Sequence, residues 1–246
     1  MLKSFFTAVC AVAVIGLTAG DAPRPVGYWK LDEGEGQIIK SSVENVPAGK
    51  IFNEHNTKWV DGRKGGKALY FGGDPEKKKQ GGFVRLPTNG FFDHTKAFSI
   101  SFWAMPESLK IMKRAANYEL VSNTVSDRGP GLRICFSWNV ANAGSGDGKK
   151  SIGVTAAESK YPVKRNVWSH IAFTYDGKVA KLYVNGALAD SKEMPITKGR
   201  NYFCVGSYNN GAAYNFHGVI SDVKFFNTEL TAAQVMAEAK ELNDEE

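Results

Sequence analysis

Short apolar runs separated by Gly, Asn and Asp dominate the chain. Runs rich in Val, Ile, Tyr, Phe and Trp and bounded by such turn residues predict β-strands. Many short strands with Gly-rich turns and no βαβ rhythm favour a two-sheet sandwich or jelly roll. We expect strands at 26–32, 49–52, 67–72, 82–86, 97–105, 118–124, 131–138, 151–156, 167–175, 178–184, 187–192, 202–207 and 216–226.

The segment 167–192 carries the clearest local pattern. One apolar run ends at Asp176-Gly177 and the next ends at Asn185-Gly186. These residue pairs tolerate the positive φ angles of two-residue hairpin turns. The segment therefore predicts a three-stranded antiparallel meander.

One helix is predicted, close to the C-terminal end of the sequence. Thr231 and Gln234 have the spacing of a capping box, and Leu230 can pack against Val235 as a hydrophobic staple. We expect this helix to run to about Leu242.

The first twenty residues have the pattern of a secretory signal peptide. Lys3 precedes an apolar run at 5–17, small residues follow, and polarity begins at Asp21. The run is shorter than the roughly 20 apolar residues that a membrane-spanning helix needs. We therefore expect residues 1–20 to be removed, residues 21–246 to form one domain without a membrane span, and the protein to be secreted, to an extracellular or periplasmic location.

The distribution of charge along the chain narrows the classes of partner that the protein could bind. The formal net charge is +6, but the Lys residues are scattered rather than aligned in a basic stripe, so we expect no nucleic-acid partner.

Removal of the signal peptide would leave two cysteines, Cys135 and Cys204. An exported protein permits a disulfide between them, but two buried free thiols fit the sequence equally well.

Six stretches spread along the chain together form a recognisable pattern. They are VGYWKLDEGEG (26–36), GKALYFGG (66–73), FSISFWAMP (98–106), WSHIAFTYDGKVAKLYVNGALADS (168–191), CVGSYNN (204–210) and FHGVISDVKFFNTELTAAQV (216–235). These stretches resemble the LamG-like jelly-roll domains of the concanavalin A-like lectin/glucanase superfamily. The resemblance implies an all-β fold of two packed antiparallel sheets with a short C-terminal helix. Relatives of this kind include sugar-binding modules, adhesion domains and pentraxin-like proteins.

Two segments, interpreted as loops, offer the chemistry of a sugar site. Sugar binding needs an aromatic ring for the apolar face of the sugar and a few fixed polar groups for its hydroxyls. Both segments also have the composition of ordinary turns, which is the alternative interpretation. The candidate ligand-binding residues are Trp138, Asn139 and Asn142 in the first segment and Tyr208, Asn209, Asn210 and Tyr214 in the second.

The sequence signals for catalysis and for metal binding are weaker than those for sugar binding. Glucanases of the superfamily carry an E-x-D-x-x-E strand, and this sequence has none. Calcium is the ion that acidic loops of such domains would hold. The resemblance nominates Asp222, and Glu33 lies in an acidic turn; either acid can instead hold a turn. Lys40 stands where many relatives have an acid, which weakens any metal site in that loop.

The sequence therefore predicts a secreted carbohydrate-binding, lectin-like module that is not an enzyme, with glycan or polysaccharide as the partner. The alternative is a cell-surface adhesion or protein-interaction domain. A glycan-active hydrolase is a third possibility, but it lacks the expected carboxylate strand.

Overall fold

The structure, a computed structural model, describes residues 23–63, 65–72, 81–107 and 117–240. The predicted signal peptide, residues 1–20, lies outside this part of the chain. The described residues form two antiparallel sheets, a single turn of 3-10 helix at Glu54–Asn56 and one α-helix. Within them, no helix has both the length and the apolar character needed to cross a membrane.

The first sheet contains eight strands. Its order is β14-β13-β12-β7-β16-β5-β4, and β1 pairs with β16 beside this path. The strands are β1 (Gly27–Trp29), β4 (Thr57–Asp61), β5 (Lys67–Gly72), β7 (Phe98–Pro106), β12 (Ser169–Tyr175), β13 (Val179–Val184), β14 (Ala187–Glu193) and β16 (His217–Phe226).

The second sheet also contains eight strands, in the order β11-β10-β9-β8-β15-β6-β3-β2. These strands are β2 (Ile38–Ile39), β3 (Gly49–Phe52), β6 (Phe83–Pro87), β8 (Asn117–Ser122), β9 (Leu132–Ser137), β10 (Val140–Gly146), β11 (Ser151–Thr155) and β15 (Tyr202–Val205). The prediction of an all-β, two-sheet antiparallel sandwich with a short C-terminal helix is confirmed.

The core lies between the sheets because successive side chains of a strand point to opposite faces. Phe225 of the first sheet contacts Phe203 of the second, with ring centroids 5.0 Å apart. Phe98 and Phe173 extend the same buried layer within the first sheet. Each buried aromatic ring removes a large apolar area from water, so this layer holds the two sheets together.

The predicted meander forms, as β12, β13 and β14. Asn185 and Gly186 have φ angles of 51° and 81°, as a two-residue turn requires. The preceding turn differs from the prediction, because Asp176 does not adopt positive φ. Its carboxylate instead accepts the N–H groups of Lys178 and Val179, at 2.7 Å each, and the loop has three residues.

The helix α1 (Ala232–Lys240) begins as predicted. Thr231 N–H donates to Gln234 Oε1 at 2.9 Å, and Gln234 N–H donates back to Thr231 Oγ1 at 3.3 Å. Leu230 and Val235 are buried in one cluster on the outer face of the first sheet. The helix ends at Lys240, and the residues beyond it lie outside the described part of the chain.

Candidate functional site

Strands β9 and β10 place a row of polar side chains on the outer face of the second sheet. Cys135 pairs with Asn142 across the two strands, and Arg133 pairs with Gly144. Their neighbours, such as Ile134, face the core. This corrects the prediction that Asn142 lies in a loop: its backbone belongs to a strand.

An open groove lies over β9, β10 and β11 because two glycines face each other there. Gly144 pairs with Gly153, so neither strand has a side chain at this position. A Cβ on Gly153 would lie 2.4 Å from the Ala143 carbonyl oxygen, so a larger residue does not fit. The resulting cavity has a volume of about 220 Å³. Asn142 and Thr155 contribute polar groups to its lining.

A buried ion pair forms one border of the groove. Glu119 on β8 is fully buried, and its Oε2 accepts from Arg133 Nη2 at 2.9 Å. Burial lowers the pKa of Arg133, but Glu119, together with Cys135 and Asp127, more than offsets burial, and the pKa is raised. The guanidinium lies 5.3 Å from the Tyr208 ring and 5.1 Å from the Tyr214 ring. Arg133 thereby fixes both predicted tyrosines beside the groove.

The tyrosines belong to the segment 206–215, which crosses the outer face of the second sheet. Arg200 Nη2 donates to Asn209 Oδ1 at 2.6 Å, and Arg85 Nη2 donates to Asn210 Oδ1 at 3.0 Å. Asn210 Nδ2 in turn donates to the Tyr202 hydroxyl. These two amide side chains therefore hold the segment in place, and their contact with a ligand stays a prediction.

Trp138 stands on the turn that joins β9 to β10. Its side chain is 47% exposed and its backbone has a φ of 57°. Tyr214 has a φ of 51°. The left-handed conformation costs an ordinary L-residue roughly 1–2 kcal/mol, and glycine or asparagine would occupy it more easily. Trp138 and Tyr214 thus occupy backbone positions that favour glycine or asparagine, and both lie outside the set of residues that line the groove itself.

The two predicted amide residues near Trp138, Asn139 and Asn142, differ in their position relative to the groove. Asn139 Nδ2 donates to Glu158 Oε1 at 3.1 Å, on the side of the turn. Asn142 lines the groove, and its Oδ1 accepts a hydrogen bond from the Cys135 thiol at 2.9 Å. Of these two residues, Asn142 alone belongs to the groove lining.

Both predicted cysteines are buried free thiols. Cys135 lies on β9 and Cys204 on β15, on opposite sides of β8. Two inter-strand spacings amount to roughly 9–10 Å, which exceeds the Cα separation of about 4.4–6.8 Å that a disulfide requires. Burial raises the pKa of Cys135 to about 12 and that of Cys204 to about 11, so neither thiol is poised to react. Of the two alternatives left by the sequence, the structure has the free thiols.

The two acids nominated for calcium each have hydrogen-bond partners within the protein, and their role as calcium ligands stays a prediction. The Tyr28 hydroxyl donates to Asp222 Oδ1 and the Ser221 hydroxyl to Oδ2, both at 2.8 Å. Asp222 also interacts with the Arg63 guanidinium, which would repel a cation. Burial raises the pKa of Glu33, whose Oε1 accepts the Lys40 N–H at 2.7 Å. Among the described residues, no group of three or more His, Cys, Asp or Glu side chains could hold a metal.

Sequence reasoning missed several groove residues. Arg133 and Glu119 come from different strands, and their pairing depends on the register of β8 against β9. The strands predicted from the sequence omit β10, which contains Gly144, although Ala141 and Ala143 are alternating inward-facing residues there. That small-residue alternation was the one signal that could have revealed β10.

Comparison with known proteins supports the fold assignment. A sequence model of a laminin G-type family, within the concanavalin A-like lectin/glucanases superfamily, matches residues 78–236. Mouse (Mus musculus) pappalysin-1 is 25% identical over 189 residues, which is 70% of this chain and 11% of pappalysin-1. The chain therefore corresponds to a small part of that relative.

Several solved structures have a fold similar to that of this chain. Domain 4 of AbnA, a GH43 extracellular arabinanase from Geobacillus stearothermophilus solved with arabinotriose, has a TM-score of 0.64 and 20% identity, covering 89% of this chain and 100% of that one. The binding domain of Paraclostridial Mosquitocidal Protein 1 has a TM-score of 0.68 and 19% identity, covering 89% and 52%. The binding domain of botulinum neurotoxin DC, solved with rat synaptotagmin II, has a TM-score of 0.67 and 14% identity, covering 89% and 51%. This chain thus spans about half of each toxin domain, and at these identities the likeness concerns the fold.

Proposed function

Because the chain belongs to the concanavalin A-like lectin/glucanase superfamily, we propose that it is a non-catalytic module that binds glycan in the groove on the second sheet. The observation that carries the proposal is the exposed Trp138, held in a left-handed conformation at the end of the two strands that floor the groove. An indole face packs well against the C–H face of a sugar ring.

The groove supplies polar groups suited to hydroxyls. Asn142, Ser151 and Thr155 line it together with three charged residues, Asp127, Arg128 and Arg133. Of these, Arg133 is already paired with the buried Glu119. A few fixed amides and hydroxyls around an apolar contact are the usual composition of a small-ligand site. This lining favours a polyhydroxylated ligand.

The absence of catalysis is part of the proposal. Retaining glycosidases place two carboxyl groups about 5–5.5 Å apart, and inverting enzymes place theirs about 6.5–9.5 Å apart. Among the described residues that line the groove, Asp127 is the one acid. Glu119 lies nearby but is buried in its pair with Arg133. The groove thus offers no pair of carboxyl groups to a glycosidic bond.

Secretion completes the proposal and rests on the signal-peptide pattern of residues 1–20. A glycan-binding role also agrees with the arabinotriose in the structure of AbnA domain 4. The synaptotagmin complex of a toxin domain with the same fold keeps a protein receptor as the competing partner.

A glycan array, probed with and without calcium, tests the proposal. We expect binding to a defined set of glycans, independent of calcium. Thr155→Trp places a large side chain at the groove and should abolish binding. Thr228→Trp is the matched control, because Thr228 is an exposed threonine that follows β16 of the first sheet. Binding to immobilised protein but to no glycan would replace the proposal with the adhesion alternative.

A further inference from the structure

The segment between β6 and β7 buries a histidine behind the groove. His94 is 5% exposed, and its ring lies edge-on to Phe203 with centroids 5.8 Å apart. Segments 123–131 and 197–201 close around it. The first of these segments forms part of the groove wall, and the second touches the groove strand β10 through a hydrogen bond from Thr197 Oγ1 to the Gly146 carbonyl.

The backbone N–H of Gly199 assigns the lone pair of the His94 ring to Nε2, while Asn123 Nδ2 lies near both ring nitrogens, 3.4 Å from Nδ1. Asn123 Oδ1 accepts the Leu132 N–H at 2.7 Å, which identifies the other atom of this amide as the donor nitrogen. That Nδ2 lies 3.0 Å from His94 Nε2, and the Gly199 N–H donates to the same Nε2 at 2.9 Å. Two donors on one nitrogen require a lone pair there, so the proton of the neutral ring sits on Nδ1.

We propose that His94 is an acid-sensitive latch: a second proton, on Nε2, opens the segments that border the groove and weakens glycan binding. An N–H at Nε2 would face two N–H donors, so the contacts from Asn123 and Gly199 would both be lost. Asn123 also holds the first residue of β9 through Leu132. Its carbonyl accepts the Arg200 N–H, which ties the two segments to each other.

Arg200 connects the segments around His94 to the segment that carries the two tyrosines. The Arg200 guanidinium donates to the Thr124 carbonyl at 3.2 Å and to Asn209 Oδ1 at 2.6 Å. Asn209 belongs to the segment 206–215 that carries Tyr208 and Tyr214. Opening at His94 would therefore loosen both the groove wall and the segment beside it.

The direction of the pH effect follows from the surroundings of His94. Burial lowers the pKa of His94 from its ordinary value of 6.5. Asp93 acts in the opposite direction, as does a hydrogen bond to the Thr197 backbone, while Lys198 lowers the pKa further. A histidine kept neutral in the folded state stabilises that state fully above the unfolded pKa, and the stabilisation is lost as the pH falls through the folded pKa. The latch is thus closed near neutral pH and opens in acid.

Amide hydrogen exchange of the free protein tests the latch directly. Exchange at Gly199 and Leu132, corrected for the intrinsic effect of pH, should speed up by about tenfold between about pH 7.5 and about pH 5 in the wild type. His94→Gln can present an oxygen acceptor that does not titrate, and it should remove this acceleration. His55→Gln is the matched control, because His55 is exposed. Affinity for a glycan identified on the array should fall over the same pH range in the wild type and in His55→Gln alone.

The two readouts separate this inference from the proposed function, on which only the affinity measurement rests. If no glycan binds at any pH but exchange still depends on His94, the proposed function fails and the latch stands. If His94→Gln shows the same pH dependence of exchange as the wild type, the latch is wrong. Should His94→Gln not fold, an NMR titration of the wild type decides: the Gly199 amide shift must follow the protonation of the His94 ring, and an unchanged shift rejects the latch.

Discussion

The outer faces of the two sheets differ in what covers them. On the first sheet, α1 packs Val235 against Phe226, and the Arg63 guanidinium stacks 3.5 Å from the Trp103 ring. This cover is tight enough to bury the His170 imidazole, and burial lowers the pKa of His170 to about 3. The chain has thus closed this half of the first sheet with its own residues.

On the second sheet, the cover is incomplete. The segment 206–215 contacts β6 and β15 through Asn210 and β8 through the Tyr214 carbonyl, and its Tyr214 ring then meets Arg133. Beyond Arg133, the facing glycines Gly144 and Gly153 leave the sheet bare, and Trp138 is exposed at its end. The sandwich thus covers one face with its own side chains and leaves part of the other face uncovered. The uncovered part of the second sheet is the surface on which we propose that glycan binds.

The largest expected effect comes from the charge pair that borders the groove. Glu119→Gln should lower the free energy of unfolding by about 3 kcal/mol, because it leaves the Arg133 charge buried without its counter-ion. Chemical denaturation measures this change. Glu193→Gln is the control, because its pair with Lys178 on the first sheet is exposed and should contribute nothing measurable. Equal effects of the two substitutions would show that the Glu119 pair is not the anchor we describe.

Removal of the exposed indole should weaken binding without unfolding the protein. We expect Trp138→Ala to reduce glycan affinity by about five- to thirtyfold, or about 1–2 kcal/mol, as for other aromatic anchors. Titration calorimetry measures this loss. Leu188→Ala removes an equally exposed apolar side chain, on β14 of the first sheet, and should leave affinity unchanged. An unaltered affinity in Trp138→Ala would remove this residue from the site.

The strain at the same position predicts a smaller effect of opposite sign. Trp138→Asn should raise the free energy of unfolding by about 0.5–1 kcal/mol, because asparagine adopts the left-handed conformation at lower cost. The same variant should bind glycan no better than Trp138→Ala. A variant that is less stable than the wild type would mean that Trp138 is held there for packing rather than for binding.

The smallest expected effect concerns the chemical reactivity of the two thiols and involves no change in stability or affinity. In the folded protein, Cys135 and Cys204 should resist alkylation at neutral pH, because burial raises the pKa of both groups. Unfolding without a reductant should expose both thiols, as peptide mass mapping of the alkylated residues would show. Recovery of a Cys135–Cys204 linked peptide would contradict the separation of these residues by β8.

Several local features were predictable from the sequence, although the Asp176-Gly177 turn was not, and features that depend on distant residues were not. The Asn185-Gly186 turn and the Thr231–Gln234 cap depend on neighbours in the chain, and both formed as predicted. The groove depends on Glu119, Arg133 and Tyr214, which only strand register and the course of segment 206–215 bring together.

The residues of the candidate site show the same difference between what residue type reveals and what it does not. Trp138 and Asn142 could be nominated by residue type, although the strand that carries Asn142 could not, because alanine and glycine give a weak strand pattern. For Asn209 and Asn210, residue type was a poor guide, because the same amides that suit a sugar also suit the anchoring of a segment.

Mapping the footprint of a bound glycan tests the central claim most directly. Hydrogen exchange, with and without a glycan identified on the array, reports which backbone amides the ligand protects. The account predicts protection in β9, β10 and β11, around the Cys135–Asn142 pair and the Trp138 turn, and no change on the outer face of the first sheet. Protection around Arg63 and α1 instead, or none on the second sheet, would contradict it.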